Sequence, residues 1–108
     1  MYPQNLTFKA ALQAGYVKPI RNKPYLNYVS SLNCPCGNPA DEAHHGIDIG
    51  LGGGMGTKLD DLFSMPVCRQ CHGSIHSDKA AWEMKHGPQT LHIMLTIRQA
   101  IEDGVLSL

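Results

Sequence analysis

The chain has 108 residues, 43% of them hydrophobic and 17% charged, with nine basic and nine acidic side chains. That suits one small globular domain, is too short for two, and excludes an intrinsically disordered chain. No apolar run approaches the roughly 18 residues a membrane-spanning helix needs, and a zero net charge argues against strong unaided binding of nucleic acid.

Taken in chain order, residues 1–24 are punctuated by Pro3, Gly15, Pro19 and Pro24 and read as an arm with a helical turn near residues 6–14. The arm carries Lys9, Lys18, Arg21 and Lys23 and no acid, whereas residues 41–108 carry five bases and nine acids. A basic arm beside an acidic, His-rich remainder suits a polyanion held over a cation site, and equally a solvated face. Tyr25, Leu26, Tyr28, Val29 and Leu32 fall on one face of a short helix that Pro24 can open. Residues 42–49, with β-branched and alternating character, read as a strand, and Ser64–Val67 as a second. Between them, Gly50-Leu-Gly-Gly-Gly-Met-Gly56 reads as a loop; without a Gly-Lys-Ser/Thr ending it is no nucleotide cradle. Residues 71–79 and 80–86 read as helical up to Gly87-Pro88, and Gln89–Glu102 as the clearest helix, with Leu91, Leu95, Arg98 and Glu102 on one face and Ile93, Ile97 and Ile101 on another. Trp82 is expected to pack these helices onto the centre, and His86-Gly87 to end a helix.

The N-terminus, Met1-Tyr-Pro-Gln-Asn5, lacks the charged-then-apolar pattern of a secretory signal, so the expected setting is cytoplasmic. In that setting the four cysteines read as metal ligands rather than disulfides. Cys68-Arg-Gln-Cys71 has the spacing that lets two thiolates reach one tetrahedral Zn²⁺, and Cys34-Pro-Cys36-Gly37 can bend to bring in a second pair. A structural zinc held by Cys34, Cys36, Cys68 and Cys71 would pin the start of the first strand to the end of the second, which the sparse core of a chain with only 6% aromatics could hardly do alone. The alternative is a three-cysteine site completed by a histidine or water. A redox pair at Cys68 and Cys71 is weaker, since no βαβ pattern surrounds it.

His72 and His76, four apart on a helix, share a face, as two ligands of one cation require. His44 and His45 are adjacent on a strand and must point to opposite sides, so one can ligate while the other faces a substrate. This implies a second metal position with open coordination sites, the mark of a catalytic rather than a structural ion. His92 reads as an ordinary structural residue.

Glu42-Ala-His-His45, Gly53-Gly-Met-Gly-Thr-Lys58, Asp61, and Met65-Pro-Val-Cys-Arg-Gln-Cys-His72 followed by His76 resemble an HNH (ββα-metal) endonuclease. With Trp82-Glu-Met-Lys-His-Gly87 after it, this order is similar to phage HNH proteins of the recombination-enhancement-function type, over about residues 25–87. The resemblance implies an α+β fold: a ββα-metal core with its zinc cluster over residues 34–86, preceded by the arm and helix of residues 1–33 and followed by a C-terminal helix in 87–108. It implies His44, His72 and His76 as ligands of a catalytic divalent ion, His45 as general base, and the four cysteines as the structural zinc site. Two positions depart from the pattern. The first cysteine pair is C-x-C, which leaves Cys34 open as a ligand, and the family's central Asn has no evident counterpart, so that Asp61 or Asp60 could tie the loop instead.

The implied activity is phosphodiester hydrolysis in DNA, in phage or prophage recombination or DNA processing, within the host cytoplasm if the gene is a phage's. A neutral His45 would take a proton from water, and the ion would act as Lewis acid. Imidazole ligands leave Mg²⁺, Mn²⁺, Ni²⁺ and Zn²⁺ all open. Lys58 and Arg69 are candidate phosphate contacts, and equally surface charges. A recombination protein is a candidate partner. The rival readings are a non-catalytic zinc-stabilised module for DNA or protein, and a redox or zinc-storage protein with exposed reactive thiolates.

Overall fold

The computed structural model describes residues 5–47, 49 and 58–108; the glycine-rich stretch 50–56 lies outside the described residues. Along the chain run α1 (Phe8–Ala14), α2 (Lys23–Ser30), β1 (Glu42–His45), a 3₁₀ turn (Asp61–Phe63), β2 (Ser64–Val67), α3 (Arg69–Ser77), α4 (Lys79–His86) and α5 (Gln89–Glu102). The result is α+β: a two-stranded antiparallel sheet with helices packed around it. No described helix is long and apolar enough to cross a membrane.

Local chemistry explains most of these boundaries. Asn22 caps α2 by accepting the Tyr25 N–H at 3.0 Å, and Pro24 occupies the first turn, where a missing N–H costs nothing. Thr7 caps α1 and Asp78 caps α4 in the same way. In the sheet, Glu42 pairs with Val67, Ala43 with Pro66, His44 with Met65 and His45 with Ser64. Among the described residues both strands are edges, which is what admits Pro66.

Two expectations need correction. The first strand stops at His45 rather than at 49, because the side chain of Gln89 takes both the N–H and the C=O of Ile47, leaving nothing for a ladder. Helix α3 begins at Arg69, two residues early, because Cys68 serves as its cap: the sulfur accepts the Cys71 N–H at 3.4 Å. On α5 the buried positions are Gln89, Ile93, Thr96 and Ala100, with Ile97 packed against the core beside Ile93, while Leu91 and Leu95 of the other stripe are exposed.

Two apolar clusters result. One joins Met65 and Val67 to Ile75, Trp82, Ile93 and three of the cysteines. The other sets Tyr25 and Val29 of α2 against Ala100 of α5. Gly46 packs tightly against the first cluster: a Cβ there would lie 2.8 Å from Ile49 and 2.9 Å from Ile93. Trp82 is buried in the first cluster, as its helical register suggests. Ile75 anchors α3 there at 1% exposure, so Ile75→Ala should cost about 2–5 kcal/mol, read as a fall in the denaturant midpoint at unchanged slope.

Candidate functional site

The cysteine cluster is built by two turns. Cys34 C=O accepts the Gly37 N–H and Cys34 N–H donates to Asn38 C=O, both at 2.8 Å, and a bridge between Asn33 and Pro39 clamps the ends. Pro35 suits the second position of such a turn, and Gly37 takes a φ of 98° that a side chain would resist. This reversal lets C-x-C do what C-x-x-C usually does. The four sulfurs lie within 4.8 Å of one another, Cys34 among them. Thiolates about 2.3 Å from a tetrahedral Zn²⁺ stand about 3.8 Å apart; Cys36 and Cys68 Sγ are 3.7 Å apart. No disulfide joins them. Without an ion the group is electrostatically uneven. Burial pushes the Cys34 thiol up to about 12 and raises Cys71, whereas the Asn38 backbone holds Cys36 down at about 7. Such a set could hold zinc, whose charge stabilises all four thiolates.

The histidines form a second cluster on a neighbouring face of α3. His44 projects from β1 and is 3% exposed; its ring lies 5.1 Å from that of His72 and 5.6 Å from that of His76. The His72 and His76 rings are 4.7 Å apart, with their Nε2 atoms at 3.0 Å. Ligand atoms of all three fall within 4.8 Å of one another, so they could hold one ion. Burial pushes His44 down to about 4, which keeps it neutral, the form a metal needs. Glu42 accepts a hydrogen bond from His72 Nδ1. The expectation passed over Glu42, yet it stands two residues before His44, on the same strand face by the period of two.

His45 points the other way, as adjacent strand residues must. Its Nε2 meets Asp61 Oδ1 at 2.8 Å. Asp61 is 2% exposed and also accepts the Asn22 N–H at 2.6 Å and Arg21 Nη1 at 3.4 Å. Burial lowers His45, opposed by its bond to Asp61, and the charges of Lys58 and Arg21 push it down further. Burial alone would raise Asp61, but His45, the Asn22 N–H and Arg21 hold it below the usual carboxylate range. Arg21, which sequence reading missed, further binds the carbonyls of Lys58 and Leu59 at 2.9 and 2.6 Å. Asp60 is buried, and its Oδ1 has no hydrogen-bond partner among the described residues. Arg69 stands exposed at the first turn of α3, its backbone N–H donating to Asp41 Oδ2 at 2.7 Å. His92 Nε2 bonds the His86 carbonyl at 2.6 Å, closing the end of α4.

These features define a small α+β domain with a four-cysteine cluster that could bind zinc and a histidine cluster beside it. The chain belongs to the family described as "Protein of unknown function (DUF968)", which it matches over residues 12–104. It is 45% identical over 84 residues to the "Uncharacterized protein YdfU" of Escherichia coli (strain K12), an overlap of 77% of this chain and 24% of that protein. The chain thus spans about a quarter of the length of that curated relative. No solved structure matches it.

Proposed function

We propose that the chain carries an HNH (ββα-metal) nuclease centre that hydrolyses phosphodiester bonds in DNA. The supporting observation is the division of labour across β1: His44 turns toward His72 and His76, while His45 turns to a buried carboxylate on the opposite face.

His44, His72 and His76 would hold a divalent ion, with nitrogen donors suiting Mn²⁺, Ni²⁺ or Zn²⁺ better than Mg²⁺. Bound there, the ion would supply Lewis acidity toward a phosphate oxygen and the departing 3′ oxygen. The protein's own part is proton transfer and orientation. A carboxylate only accepts, so Asp61 fixes the proton of His45 on Nε2 and leaves the Nδ1 lone pair to take a proton from water. Arg21 and Lys58 set positive charge around His45, where a phosphodiester would be drawn. The cysteine cluster, loaded with zinc, is structural. A role in phage recombination or DNA processing, with a recombination protein as partner, extends the same reading.

The test is conversion of supercoiled plasmid to nicked circles by the zinc-loaded protein with added Mn²⁺, Ni²⁺, Zn²⁺ or Mg²⁺. Metal-dependent nicking supports the reading. Metal binding at the histidines without cleavage under any of the four ions would leave a non-catalytic zinc-stabilised module instead. Asp61→Asn should lower nicking about 10²-fold, because an amide can also donate and no longer dictates which His45 nitrogen keeps the proton; a near-UV circular dichroism spectrum like the parent's separates this from misfolding.

A further inference from the structure

Gln89 is fully buried at the first turn of α5, and all its polar atoms are engaged. Its Nε2 faces two groups that only accept: the Ile47 carbonyl at 2.9 Å and Glu83 Oε2 at 3.3 Å. Its Oε1 faces the Ile47 N–H, which only donates, at 3.2 Å. These partners settle the orientation of the amide. Glu83 reinforces it by accepting the Gln89 backbone N–H at 3.0 Å. The remaining contact of Oε1 is His44 Nε2, at 2.9 Å. An amide oxygen cannot donate, so that ring nitrogen must carry the hydrogen.

We infer that Gln89 is a positioning residue that locks His44 in its Nε2–H tautomer and presents Nδ1 as the nitrogen available to a cation. Glu42 does the converse for His72, keeping the hydrogen on Nδ1 and freeing Nε2, the atom that meets His76 Nε2. The donor set is therefore mixed: Nδ1 from the strand and Nε2 from the helix. This inference rests on the three histidines being a metal site, but not on the site cleaving DNA. It also makes α5, outside the ββα unit, part of the centre.

The first measurement needs no variant. Two-bond ¹H–¹⁵N correlation spectra of the zinc-loaded protein, its histidine cluster kept metal-free, should show His44 neutral with the hydrogen on Nε2. Adding one equivalent of Zn²⁺ should then move the His44 Nδ1 resonance while Nε2 keeps its hydrogen. A hydrogen on Nδ1, or ligation through Nε2, would overturn the inference. Gln89→Leu should weaken Co²⁺ binding at the histidines about 10- to 100-fold and let His44 populate both tautomers, with the cysteine zinc retained. A folded variant that binds Co²⁺ as the parent does would also overturn it. If the tautomer and the Co²⁺ loss appear and plasmid is not nicked, the nuclease reading fails and this one stands.

Discussion

His45→Ala is expected to lower plasmid nicking by about 10²- to 10⁴-fold, the usual worth of a positioned general base, with zinc content and thermal unfolding close to the parent's. The stability expectation follows from its place: His45 is partly exposed and bonded to Asp61, and it belongs to neither apolar cluster. Removing it leaves Asp61 still bonded to Asn22 and Arg21, so the carboxylate keeps partners. The pH profile provides a second readout. A base works only when unprotonated, and burial holds His45 below its ordinary 6.5. The acid limb of kcat/KM should therefore have its midpoint below pH 6.5 and flatten toward neutrality. Asp61 opposes that lowering, so in Asp61→Asn the limb should move to still lower pH. Unchanged nicking by His45→Ala would remove the assigned base, and with it the mechanism.

Stripping the cysteine zinc should have the larger structural effect. Structural zinc in comparable small sites contributes about 10–16 kcal/mol, at or above the whole stability of a typical domain, roughly 5–15 kcal/mol. Three of the cysteines lie inside the main apolar cluster, packed with Val67, Ile75 and Trp82. Without the ion the four sulfurs are crowded together, with Cys34 strongly resisting ionisation. A chelator, or Cys71→Ser, should abolish cooperative thermal unfolding followed by circular dichroism, with stoichiometric zinc release in a chromogenic assay. Cooperative unfolding that survives complete zinc loss would show that the apolar clusters suffice.

The same residues explain what the sequence could and could not disclose. Cys68-Arg-Gln-Cys71, His72 and His76 lie on one short helix, where spacing translates directly into geometry, and the structure brings them into the two expected clusters. Ser64–Val67 and Gln89–Glu102 are likewise bounded by local signals, and their limits coincide with expectation. The misses involve contacts between residues distant in sequence. Nothing near Gln89 announces that its side chain will end a strand forty residues earlier or grip His44. Arg21 looked like one base in an arm, yet it ties that arm to Lys58, Leu59 and Asp61. On α5 the periodicity marks the stripe that includes Ile93, but not that an amide, a hydroxyl and a methyl group, from Gln89, Thr96 and Ala100, are buried on the same helix. Glu42 was within reach, since strand alternation places it beside His44.

Helix α3 carries Cys71 in one cluster and His72, the very next residue, in the other. Each residue turns an α-helix by about 100°, so inserting a single amino acid between them would swing the two imidazoles away from His44 while leaving the thiolates where they are. The two clusters are thus geared together: the cysteine end sets the phase of the helix, and the imidazoles inherit it. Between residues 68 and 76 the residue count is therefore fixed by rotation.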